Sequence, residues 1–166
     1  VPNVALCDAL DTLTATVTSQ GNPARVASAT ATTSARAVYG ALARVAPTAL
    51  WADPGAAVSA SLWVTNTGNC VDTLAVTSAS AWPAAVRATT GALAAGAGVA
   101  LPVTVTVPAN ALAGDFAVTT LTAKSQANGA VSATAALTTT ANAIYGVTLS
   151  PQMALGSGQA GATALY

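Results

Sequence analysis

The segment TTSARAVYGAL, which starts at Thr32, returns 106 residues later as TTTANAIYGVT, starting at Thr138. A chain of 166 residues that nearly repeats itself at this distance is constrained more by its repeat than by any other feature. With a constant offset and no gaps, residues 1–40 lie over 107–146. Val1 and Pro2 meet Val107 and Pro108, Ala5 and Leu6 meet Ala111 and Leu112, and Ser19, Gln20 and Asn22 meet Ser125, Gln126 and Asn128. Tyr39 and Gly40 meet Tyr145 and Gly146, and about 18 of the 40 positions are identical. The overlay continues weakly, with Gly55 on Gly161. This predicts a tandem organisation of period 106. Residues 1–38 are the C-terminal part of one repeat, 39–144 a complete repeat, and 145–166 the N-terminal part of a third.

The complete repeat reads as seven short strands. ALARVAPTALW leads to the turn formed by Asp53, Pro54 and Gly55. AAVSASLWV alternates, with Val58, Ala60, Leu62 and Val64 on one face and Ser59, Ser61 and Trp63 on the other. A polar turn, TNTGN, separates it from VDTLAVTSA, and a short AAVRATT follows Trp82 and Pro83. VALPVTVTV places Val99, Leu101, Val103, Val105 and Val107 on one face. FAVTTLTAKS and AVSATAALTTTA flank Asn128 and Gly129, the signature of an Asn-Gly hairpin turn. Seven strands in about 100 residues, with turns every 8–12, predict an all-β immunoglobulin-like sandwich; a small barrel is the alternative.

PGAAVSASLWVTNTGN, DTLAV, LPVTVTVPANALAGD and LTAKSQ with VSATAALTTTA resemble the Ig-like surface repeats of bacteria and archaea, of the type appended to glycosidases as an α-galactosidase-associated module. The resemblance covers essentially all of residues 45–141. It implies a sandwich that serves as a spacer, stalk or adhesive unit, and it carries no activity with it.

The residue inventory leaves catalysis little to work with. There is no His or Glu, and the carboxylates are Asp8, Asp11, Asp53, Asp72 and Asp115. Asp8 and Asp11 lie close together at a strand start, where backbone hydrogen bonding is the ordinary role of such residues. A Ca²⁺ site from Asp8, Asp11 or Asp115 with loop carbonyls is the metal candidate. GALAAGAG has neither the Lys nor the following helix of a phosphate loop. The chain is therefore not expected to be an enzyme or to need a cofactor.

Five scattered cations (Arg25, Arg36, Arg44, Arg87, Lys124) and a net charge of zero leave no footprint for nucleic acid. Thr, Ser and Gly interrupt every apolar run, so no membrane span is expected. With charged residues at only 6%, association with copies of itself is the expected partnership. Trp51, Trp63 and Trp82 are candidates for a carbohydrate platform or for the sandwich core. Trp63 falls out of phase with its strand's apolar face and is the candidate self-association residue.

Cys7 is the repeat counterpart of Ala113, in the loop before the penultimate strand of a unit. Cys70 follows TNTGN in the complete unit. In consecutive sandwiches these loops face each other, which predicts a Cys7–Cys70 disulfide between units; two separate thiols and a pairing between chains are the alternatives. An even cysteine count fits an oxidising, extracellular setting. The functional expectation is an extracellular structural protein (a filament, sheath or surface-layer array) with an adhesin stalk or a spacer that binds cell-surface polysaccharide as the alternative. Its unfinished half-units are completed either by covalent continuation of the array or by strand exchange between subunits.

Overall fold

The computed structural model describes residues 5–148. It contains eleven strands and no helix among those residues: β1 (Leu10–Thr18), β2 (Val26–Ser34), β3 (Ala41–Ala46), β4 (Ala49–Ala52), β5 (Ala57–Asn66), β6 (Asp72–Ala79), β7 (Ala84–Val86), β8 (Thr89–Leu93), β9 (Gly98–Thr106), β10 (Phe116–Ser125) and β11 (Ser132–Ala141). They form an isolated β1–β2 hairpin followed by an Ig-like sandwich. One sheet has the order β4-β11-β10-β6-β8 and the other β3-β5-β9-β7. All pairings are antiparallel except β4 with β11.

The seven expected segments are present, but two of them each divide between the sheets, so the sandwich has nine strands. ALARVAPTALW breaks at Pro47, which has no N–H to give a ladder. Its first half, β3, pairs with β5, and its second half, β4, pairs with β11. AAVRATT likewise becomes β7 on β9 and β8 on β6. The β6–β8 ladder slips between Thr73 and Ala75, and the Leu74 N–H there donates to the Thr90 hydroxyl at 3.0 Å. The DPG turn forms as expected, with Ala56 N–H on the Asp53 carbonyl and Gly55 at φ 85°. The Asn-Gly hairpin does not. Val131 N–H closes on the Asn128 carbonyl, the Asn128 side chain accepts from Ala130 N–H, and Gly129 keeps an ordinary φ. The amide's local hydrogen bond replaces the tight two-residue turn.

Strand alternation builds the core. Leu62, Val64, Leu101, Val103 and Val105 of one sheet meet Leu74, Val76, Leu121, Ala123 and Leu137 of the other, all buried. Each Leu or Val so enclosed contributes about 1.5–3 kcal/mol. A smaller cluster of Ala52, Val107 and Ala141 closes the end where β11 leaves, and half-buried Trp82 packs on both clusters. Among the described residues, every member of both clusters lies within 41–141, and the hairpin contributes none. The sandwich is thus complete in its own core.

The hairpin is not. Its register runs from Leu10↔Ser34 to Thr18↔Val26, and that of β10–β11 from Phe116↔Thr140 to Lys124↔Ser132, each pair displaced by 106 residues. In β10–β11 the inward residues Thr119, Leu121, Ala123 and Leu137 lie under the facing sheet. Their counterparts Leu13, Ala15, Val17 and Ala31 face no second sheet among the described residues, and Leu13 and Val17 are 69% and 68% exposed. Ser125 donates to buried Asp72 of β6; among the described residues the hydroxyl of its counterpart Ser19 receives only Asn22 N–H. The opening strands expected of a following repeat fall almost wholly on 149–166, outside the described residues.

Candidate functional site

The feature that sets this chain apart from a plain sandwich is the junction between hairpin and sandwich. It is organised by the turn that ends β5. Asn66, the last residue of that strand, is fully buried. Its Nδ2 donates to the carbonyls of Cys70 (2.7 Å), Leu93 (3.0 Å) and Ala94 (3.2 Å), and its Oδ1 accepts from Gly68 N–H at 3.0 Å. A buried amide with every polar atom satisfied rigidifies what it holds. Here it fixes the conformation of residues 67–70 and ties that turn to the loop after β8.

The fixed turn presents Asn69 outward to the hairpin. Asn69 Oδ1 accepts from Val38 N–H at 2.7 Å, and Nδ2 donates to the carbonyls of Ala5 (3.1 Å) and Arg36 (3.0 Å). Its own backbone N–H donates to the Val38 carbonyl at 2.9 Å, and its carbonyl accepts from Cys7 N–H at 3.0 Å. One residue therefore binds both chain segments that leave the hairpin, 5–7 and 36–38. Thr67 N–H adds a bond to the Gly40 carbonyl at 2.9 Å. A side chain at Gly68 would overlap the Val38 carbonyl oxygen, and one at Gly40 would overlap the Thr67 hydroxyl. The two glycines are what allow the backbones to meet.

Cys7 and Cys70 are disulfide-bonded across this contact, with Cα atoms 5.1 Å apart and a sequence separation of 63. Of the three pairing alternatives, the clamp between the two parts is the one realised. Closing a loop of that length stabilises by about 4 kcal/mol in the chain-entropy model. Shallow apolar grooves flank the clamp, lined by Leu6, Val38, Val71 and Ala95.

The remaining candidates are separated in space. Asp115 caps its own loop by accepting Leu112 N–H at 2.8 Å, and Asp8 occupies a left-handed turn at φ 61°. Among the described residues no three acidic or thiol side chains converge, so Asp8, Asp11 and Asp115 are not brought together. Trp63 points outward as its phase requires, 55% exposed, between Arg44 of β3 and Ala100 of β9. Trp51 is exposed on the other sheet, in the same row as Thr140 and Phe116. The three tryptophans therefore lie on different surfaces and form no common platform. Among the described residues no helix is long and apolar enough to cross a membrane.

Sequence reasoning identified both cysteines but read TNTGN only as a polar turn. Asn66 and Asn69, three apart and on either side of a glycine, were the available signal. One side chain closes the turn and the other reads the neighbour.

No protein-family model matches the chain, and no curated protein is similar to it in sequence. Among solved structures it is similar to the ASH / PapD-like domain of human CEP192 (PapD-like domain 7). The identity is 11% and the TM-score 0.40, over 63% of this chain and 87% of that one.

Proposed function

We propose that this chain is an extracellular structural protein, a stretch of an array of Ig-like units that forms a filament, sheath or surface layer. The observation that carries the reading is the clamped junction. A hairpin whose register repeats that of β10–β11 at an offset of 106 is held to the next sandwich by a disulfide and by Asn69. On this reading β1 and β2 are the closing strands of one unit, and the sandwich is the unit that follows. The exposed face of Leu13 and Val17 is covered by the remaining strands of the hairpin's own unit, since an isolated two-stranded hairpin is marginal in water. Covalent continuity along the array supplies those strands; exchange between subunits is the competing route.

A disulfide that stiffens the link between units suits a load-bearing or space-spanning role in an oxidising compartment. The likeness of the sequence to tandem surface repeats supports the same reading. Electron microscopy of the native protein tests it. Fibres or sheets with a regular axial repeat are expected. Dispersed particles retained on cell-surface polysaccharide would instead establish the adhesin or spacer role.

A further inference from the structure

The sandwich ends in a second copy of the surface that the hairpin offers to Asn69. At the entry junction, Ala9 N–H bonds the Leu6 carbonyl, Asp8 N–H the Ala35 carbonyl, and Ala35 N–H the Ala9 carbonyl. At the exit end, Asp115 N–H bonds the Leu112 carbonyl, Gly114 N–H the Ala141 carbonyl, and Ala141 N–H the Asp115 carbonyl. Each bond is displaced by 106 residues. The left-handed residue is displaced with them, Asp8 (φ 61°) becoming Gly114 (φ 86°). The groups that bind Asn69 at the entry are the Ala5 and Arg36 carbonyls, the Cys7 N–H and both backbone groups of Val38. Their counterparts are the Ala111 and Asn142 carbonyls, the Ala113 N–H and the backbone of Ile144, which take no partner among the described residues. Tyr39 is half-buried at the entry, whereas Tyr145 is 93% exposed.

We infer that this exit face, residues 111–115 with 142–146, is a docking site for the Gly-Asn turn of another sandwich unit of this kind. Resting on the array reading, the inference supplies the recognition element. A glycine must precede the asparagine, because a Cβ there would meet the carbonyl that Ile144 contributes, as it meets Val38 at the entry. The asparagine then engages Ile144 N–H, the Ala111 carbonyl and the Asn142 carbonyl. Gly146 takes the place of Gly40. Ala113 stands where Cys7 does, so this contact is made without a disulfide and is the reversible form of the clamp.

Disulfide trapping tests the geometry. The full chain carrying Ala113→Cys is mixed with a unit of residues 41–148, whose core is complete and whose Gly68–Asn69 turn and Cys70 thiol are free. Omitting residues 39–40 leaves room for Tyr145 and Gly146 of the full chain. Cooperative unfolding of the shortened unit verifies its fold; the C-terminal fragment released from the folded chain by a protease site at 38–40, with Cys7–Cys70 reduced, serves equally. In a glutathione buffer the introduced thiol and Cys70 each lose a proton and together give two electrons to oxidised glutathione. One protein disulfide and two glutathione thiols result.

The expected product is a one-to-one adduct joined between position 113 and Cys70, at least tenfold above the yield with unmodified full chain. Asn69→Ala in the unit should return it to that background. An adduct at background level, or one indifferent to Asn69→Ala, overturns the inference. Background trapping together with a native polypeptide many units long would refute this contact while leaving the array intact. Specific trapping with a native polypeptide of one chain's length would do the reverse.

Discussion

Replacing Asn69 with alanine removes three hydrogen bonds that all cross the junction and none that lies within the sandwich. Two of the three are exposed and one is part-buried. At about 0.5 kcal/mol for each exposed bond and about 1 kcal/mol for the other, the loss is about 2 kcal/mol. The disulfide keeps the hairpin tethered, so the loss appears as more frequent opening of the junction rather than as unfolding. Native-state hydrogen exchange reads this directly, since 1.4 kcal/mol is a factor of ten.

The informative amides are those of Cys7 and Asn69. Both keep their backbone acceptors in the variant, the Asn69 and Val38 carbonyls respectively. They should nevertheless exchange about 30-fold faster, while amides of buried Leu62 and Leu121 keep their rates. Unchanged rates at Cys7 and Asn69 would mean that the backbone contacts and the disulfide hold the junction without the side chain. Acceleration throughout the sandwich would mean that Asn69 belongs to the fold rather than to the link. Either result refutes the reasoning.

Asn66→Ala should act on the sandwich itself. It removes about three effective bonds from a fully buried amide, so stability should fall by about 3 kcal/mol, read as a urea midpoint about 1.5 M lower. Thr139 is fully buried, and its hydroxyl has no partner among the described residues. Thr139→Val keeps the shape and removes the unmet polar group, so Tm should rise by about 4–8 °C for about 1 kcal/mol. Trp63→Ala removes an exposed aromatic from the middle of a sheet face. It should weaken assembly of native material at least tenfold by light scattering with Tm nearly unchanged; unaltered assembly would remove Trp63 from the contact.

The sandwich was legible because its strands alternate cleanly: β5 and β9 bury the residues that period two places inward. Nine strands in place of seven came from sheet switching at Pro47 and after β7, which a period-two reading does not register in pieces as short as β4 and β7, four and three residues long. The turn at Asn128 was misread because an Asn-Gly pair serves a tight hairpin or a longer loop equally, and the outcome depends on what Asn128 Oδ1 accepts. The disulfide was legible from the repeat taken with the expected sandwich, whose facing loops put both cysteines at one junction. The asparagine contacts were not. Their partners are carbonyls and amides of Ala5, Arg36 and Val38, and a sequence does not show backbone groups coming together across 31 to 64 residues.

On the array reading the hairpin and the sandwich are successive units of one longer polypeptide. The intact mass of the native protein, denatured and reduced, decides this. The array predicts a mass several-fold above the 15.9 kDa of these residues. A native mass near 15.9 kDa would contradict it and leave the bare face of β1 and β2 to be covered by another molecule.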